Sequence, residues 1–152
     1  MDINALCDTI RQTAYDIHVY HGSGHLEKVY ENALAHRLRK SGLDVEQQYP
    51  IKVFDEDGTE IGDYVADLLV ARELIIELKA ARSIAPEHVA QILGYLASSR
   101  KQHGLLINFG SYRFQIKKFA GRTGGRMGGF PASGPMASIL LAMYTAFGVL
   151  FR

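Results

Sequence analysis

The stretch Tyr64-Val-Ala-Asp67-Leu-Leu-Val-Ala-Arg72-Glu73-Leu-Ile-Ile-Glu77-Leu-Lys79 decides how this 152-residue chain reads. Its Val, Ile and Leu content predicts two strands, 60–70 and 73–79, closed by a tight connection. With Ala71 to Glu73 as the loop, the antiparallel register puts Asp67 directly opposite Glu77. Their Cβ atoms then lie about 5 Å apart on one face. Side chains alternate along a strand, so Lys79 shares that face, about 7 Å from Glu77.

Two acids facing each other across a strand pair repel unless something offsets the charge. Asp67 also sits inside the apolar run Val65-Ala66-Asp67-Leu68-Leu69-Val70, where an unpaired carboxylate is costly to bury. A hard divalent cation answers both problems. Mg²⁺, or Mn²⁺ in its place, prefers an octahedron of oxygens with one or two protein carboxylates, leaving positions for water and a phosphate oxygen. Asp67 and Glu77 are placed to hold such an ion, with the backbone carbonyl of Leu78 as a further ligand; the alternative is that Glu77 and Lys79 are a surface pair on an edge strand. Lys79 is placed to orient or help deprotonate an attacking water, or to stabilise charge developing on phosphorus.

Outward from this pair, Tyr49, Ile51 and Val53 alternate ahead of the turn cluster Asp55-Glu56-Asp57-Gly58, which predicts a third strand and a three-strand meander. Pro50 places the start of that first strand at a sheet edge. Upstream, Ile3, Leu6, Ile10, Ala14 and Ile17 recur at helical spacing over 2–20, and Gly22 and Gly24 end the run. Leu26, Val29, Tyr30, Ala33, Leu34 and Leu38 repeat the period over 25–41, with Arg37, Arg39 and Lys40 where cations suit the helix dipole. Downstream, Pro86 and Glu87 open a helix over 86–99 with Val89, Ile92, Leu93 and Leu96 inward. Strands follow at 104–109 and 112–119. The order ααβββαββ predicts an α/β fold with one mixed central sheet flanked by helices.

Length allows one domain with a real core, taken as 1–119. Residues 120–135, with six glycines and two prolines, read as a connector, and 136–152 as an apolar C-terminal tail. The uncharged run 136–151 reaches only about 24 Å as a helix, short of the roughly 30 Å hydrocarbon layer, which disfavours a membrane span. The alternatives for this tail are that it folds back on the domain, forms a homo-oligomer or protein contact, or is a poorly structured end. Cys7, the only cysteine, excludes an intrachain disulfide and reads as a buried, inert thiol; Asp2 and Asp8 stand where a secretory signal would need a basic start and an apolar run, so a cytoplasmic setting is expected.

The net charge of +1 conceals an asymmetry. Residues 1–87 carry all sixteen acids against nine Lys and Arg, a balance of −7, while 88–152 carry eight basic residues and no acid. Such a split suggests either an anionic partner, most simply a polyphosphate backbone, or attraction between the two halves of the chain. Arg100, Lys101, Arg113, Lys117 and Lys118 are the candidate contacts. His18, His21 and His25 lack a cysteine or carboxylate at zinc spacing, and neither Gly22-x-Gly24 nor 121–129 has the context of a phosphate loop.

Asp67 followed by Glu77-Leu78-Lys79 resembles the signature of the PD-(D/E)XK nuclease superfamily, with Ala66 where a proline is usual. Gly24-His-Leu-Glu27-Lys-Val-Tyr30 is similar to the motif that names its GxxExxY branch. Tyr64-x-Ala-Asp-Leu-Leu-Val, Glu-Leu-Lys-Ala80 and Leu105-Leu-Ile-Asn-Phe-Gly110 extend the likeness over about 5–119. The resemblance implies a restriction-endonuclease-like fold and Mg²⁺- or Mn²⁺-dependent hydrolysis of phosphodiester bonds, in DNA before RNA. It implies that Glu27 is the additional helix acid at the site, and that Gln91 and Tyr95, one helical turn apart beside His88, line the substrate or metal site. The rival expectation is a non-catalytic accessory subunit that keeps the fold and binds nucleic acid or protein. The intact Asp67, Glu77 and Lys79 set argues against it.

Overall fold

A computed structural model of the chain describes residues 2–121. The assigned connector from 122 on and the tail 136–152, with the oligomer or partner contact among its alternatives, lie outside the described residues. The elements are α1 (Ile3–His21), α2 (Glu27–Lys40), β1 (Val45–Phe54), β2 (Glu60–Val70), β3 (Leu74–Lys79), α3 (Pro86–Ser99), β4 (His103–Asn108) and β5 (Gln115–Ala120). The strands form one sheet in the order β1-β2-β3-β4-β5. β1, β2 and β3 are an antiparallel meander, β3 and β4 run parallel across α3, and β5 returns antiparallel to β4. The fold is α/β with a mixed sheet, as the element order predicts.

Helices cover both faces. The stripe Leu6, Cys7, Ile10, Ala14 and Ile17 of α1, with Tyr30, Leu34, Ala35 and Leu38 of α2, packs on Leu68, Val70, Leu74, Ile76, Leu78, Leu105 and Ile107. On the opposite face Val89, Ile92, Tyr95 and Leu96 of α3 pack on Ile51, Leu69, Ile75, Leu106 and Phe119. β3 and β4 are thus buried on both sides, which is why they read as unbroken apolar runs. Cys7 is buried among these side chains, and burial pushes its thiol up from the ordinary value.

Caps set the helix limits. Asp2 accepts from the Ala5 amide at 3.3 Å at the start of α1, and Gly22, at φ +69°, ends it. Pro86 opens α3, and His88 Nδ1 accepts from the Ala85 amide at 3.0 Å.

Strand limits shift by one residue at β3 and β4, and two strand starts differ from expectation by more. β1 begins at Val45, four residues before Tyr49. Glu46, Gln47 and Gln48 carry no apolar alternation because this edge segment is held by polar contacts to α2. β5 begins at Gln115, not 112. The alternation of Tyr112, Phe114 and Ile116 has another origin: Phe114 packs its ring on Tyr15, His18 and Phe109, while Tyr112 is 93% exposed. β5 also takes in Ala120, and the Gly121 amide donates to the Gln102 carbonyl at 2.7 Å, so these two residues continue the sheet.

The turn after β3 is pinned to the end of β4. Asn108, fully buried, donates through Nδ2 to the Ala81 carbonyl and to Gln115 Oε1, and accepts at Oδ1 from the Ala81 and Gly110 amides. The backbones here approach so closely that a Cβ on Gly110 would stand 2.3 Å from the Ala81 nitrogen. Gly110→Ala should therefore cost about 2 kcal/mol as an overpacking change. Thermal or urea unfolding measures it, and an unchanged midpoint would contradict this packing.

Candidate active site

The site forms where β2 parts from β3. The antiparallel ladder runs Val70↔Leu74, Leu69↔Ile75, Leu68↔Ile76 and stops there, closed by the three-residue loop Ala71 to Glu73. One step further, where Asp67 and Glu77 would pair, side chains take over. The Leu78 amide donates to Asp67 Oδ2 at 2.8 Å, and the Asp67 amide points at Glu77 Oε2 at 3.4 Å. The two carboxylates thus face each other, each touching the other's strand.

β3 supplies the rest of the set. Leu74, Ile76 and Leu78 point into the α1/α2 core, so Ile75, Glu77 and Lys79 point to the α3 side. Lys79 Nζ donates to Gln91 Oε1 at 2.7 Å and lies 3.5 Å from Glu77 Oε1. Gln91 Nε2 in turn donates to the Tyr95 hydroxyl at 2.8 Å. That second bond orients the amide, leaving its oxygen for the ammonium. Tyr64, half-exposed on β2, packs its ring 5.5 Å from that of Tyr95 and walls the same side.

Electrostatics follow from burial. Glu77 is 4% exposed, and burial followed by the charge of Asp67 pushes its carboxyl up to about 8. Asp67 is also raised, first by burial and then by Glu31 and Glu27, against the lowering effects of the Leu78 amide and Lys79. Burial and Glu77 push the Tyr95 phenol up to about 12. Two adjacent carboxylates that each resist ionisation form a site a divalent cation would relieve. Among the described residues no cluster of three or more His, Cys, Asp or Glu could hold a metal ion, and the site itself presents two carboxylates, Asp67 and Glu77. That number suits Mg²⁺, which keeps several water ligands.

The other expected residues divide. Gln91 and Tyr95 join Lys79. Glu27 is exposed in the first turn of α2, and its charge is felt at Asp67. Tyr30, in the same motif, is a packing residue with a tethered hydroxyl: its ring stacks on Phe109 at 4.6 Å, and its hydroxyl donates to the Gly22 carbonyl at 2.6 Å. The basic residues do not form one patch. Lys117 pairs with Leu106, which pairs with Glu77, so it lies on the site's face of the sheet. Lys118 points the other way and donates to Asn4 on α1 at 2.8 Å. Arg113 sits in the loop beyond β4, at the site's end of the sheet. Arg100 ends α3 and Lys101 donates to the Arg72 carbonyl, both at the opposite end.

Sequence reasoning did not single out Asn108, Tyr64 or Glu31. Glu31 is a buried carboxylate, 3% exposed, one turn beyond Glu27. Its position among the buried residues of α2, beside Tyr30 and Leu34, was the available signal.

A pH dependence follows for the metal-free protein. A carboxyl at its ordinary 4.5 when unfolded and about 8 when folded binds more proton in the native state. Stability therefore falls as pH rises from about 4.5 to about 8 and levels off above. Glu77→Gln should flatten this fall, as should millimolar Mg²⁺ or Mn²⁺; melting temperatures across the range test both, and a parallel decline in the variant would contradict the assignment.

Residues 4–119 match the family model of the PD-(D/E)XK nuclease superfamily. No curated protein matches the chain in sequence. Among solved structures, the crystal structure of SSO0001 superposes with a TM-score of 0.53 at 17% identity, over 78% of this chain. The chain spans 56% of the length of that protein, and the likeness is one of fold. With its mixed sheet and a family match that covers most of its length, the chain belongs to the PD-(D/E)XK nuclease superfamily.

Proposed function

We propose that this protein is a Mg²⁺- or Mn²⁺-dependent nuclease of the GxxExxY branch that hydrolyses phosphodiester bonds in DNA, acting in the cytoplasm. The observation that carries the reading is the opposition of Asp67 and Glu77 with Lys79 two residues on, held by Gln91. Asp67, Glu77 and the Leu78 carbonyl would hold the ion. When bound, it would supply a Lewis acid for the phosphate and lower the pKa of a bound water.

The chain's own residues do the rest. Lys79 keeps an ammonium beside the attacking water and the scissile phosphate, where it stabilises negative charge as it builds on the phosphoryl oxygens. Gln91 and Tyr95 are positioning residues that fix where that ammonium points. Glu27, exposed at the start of α2, is the additional acid near the water. Of the basic residues, Arg113 and Lys117 share the site's end or face of the sheet and are the proposed backbone contacts.

Purified protein should cleave DNA only with Mg²⁺ or Mn²⁺, assayed on linear, circular and single-stranded DNA and on RNA. Asp67→Ala and Lys79→Ala should each lower kcat by about 10²-fold or more. Mn²⁺ binding by calorimetry should vanish in Asp67→Ala and survive in Lys79→Ala. Metal-independent cleavage, or full activity in either variant, would sink the proposal.

Binding should also weaken with salt. Arg113→Ala and Lys117→Ala should each reduce the slope of log affinity against log salt by about one, while Arg100→Ala leaves it unchanged. Equal effects from all three would mean a diffuse field with no defined track.

A further inference from the structure

Glu31 is the buried carboxylate that the proposed chemistry leaves unused. It stands on α2, 3% exposed, and its hydrogen bonds run to β1 and to its own helix. Oε1 accepts from Gln48 Nε2 at 2.6 Å. Oε2 accepts from Gln47 Nε2 at 2.7 Å and from Lys28 Nζ at 2.6 Å.

What it grips is unusual backbone. Gln48 lies within β1 yet has φ +55°, the left-handed region that a glutamine seldom enters. The ladder between β1 and β2 pairs Gln47 with Leu68 and Tyr49 with Ala66, and skips the step between them, where Gln48 would face Asp67. Alternation also breaks there. Leu68 packs in the α1/α2 core while Ala66, two residues earlier, packs on the α3 side. β2 therefore turns over at Asp67, opposite the left-handed residue.

We propose that Glu31 is a positioning residue for the carboxylate pair: it holds Gln48 in the left-handed conformation opposite Asp67, and so maintains the twist that aims Asp67 at Leu78. The structural claim concerns the metal-free chain, and only its functional consequence rests on Asp67 and Glu77 being metal ligands.

The test uses the full chain, with two readouts: hydrogen exchange of the Leu78 amide by NMR without metal, and Mn²⁺ affinity by calorimetry. Gln48→Val is the first variant, because the site is exposed and a β-branched residue resists positive φ. Glu31→Met is the second, keeping length while removing every acceptor. Each should speed Leu78 exchange and weaken Mn²⁺ binding by about tenfold or more. Adding Gln48→Gly to Glu31→Met should recover most of both losses, since glycine takes the left-handed conformation freely.

Unchanged Leu78 exchange in Gln48→Val overturns the proposal, as does a Glu31→Met defect that the added glycine leaves untouched. If Glu31→Met does not fold, Gln48→Val alone decides. If the native chain binds no Mn²⁺ while the amide responds as stated, the metal reading fails and the positioning role stands.

Discussion

The hydrogen bond from the Leu78 amide to Asp67 Oδ2 is the contact on which the rest of the site depends. It lies where β2 and β3 cease to pair, and it replaces a main-chain ladder bond with a side-chain carboxylate. A buried amide must find an acceptor. Because Asp67 meets that need, the strands can diverge at this point without leaving an orphaned donor, and the divergence opens the space the chemistry requires. Glu77 repeats the arrangement in reverse by reaching the Asp67 amide. The two acids hold the strand junction together and are also the groups proposed to bind the metal.

Around that junction the molecule supplies rigidity from three directions. β4 backs β3 with a parallel ladder that places Asn108 beside Lys79, and Asn108 then fixes the turn at Ala81. α3 brings Gln91 and Tyr95 to Lys79. α2 contributes Tyr30, whose stacked ring and tethered hydroxyl set the 22–26 loop leading to Glu27. Each contact is modest alone, about 1 kcal/mol for an ordinary hydrogen bond. Together they restrict the few side chains that must point one way.

Much of this was legible in the chain. The strand pair and its register could be read because apolar runs, a short loop and alternation leave few options, and Gln91 and Tyr95 stood one helical turn apart. The start of β1 could not be read, because Gln47 and Gln48 are held by Glu31 and not by an apolar face. The early start assigned to β5 arose from reading the packing of Phe114 on α1 as strand alternation. The charge asymmetry was real in sequence but did not specify geometry. Lys117 and Lys118 are adjacent and point to opposite faces, and Lys101 lies at the far end of the sheet.

The parallel pairing of β3 with β4 has a consequence for how the chain acquires its shape. The meander β1-β2-β3 closes through neighbouring segments, whereas β4 can join only after α3 has crossed over the sheet. Contacts separated by long stretches of chain carry a larger loop-closure cost and slow folding. Asp67, Glu77 and Lys79 all belong to the meander, but Gln91 and Asn108 arrive with the crossover. A chain emerging from the ribosome thus carries the acids and the lysine before it carries the groups that aim them, and the crossover is the step that completes the site.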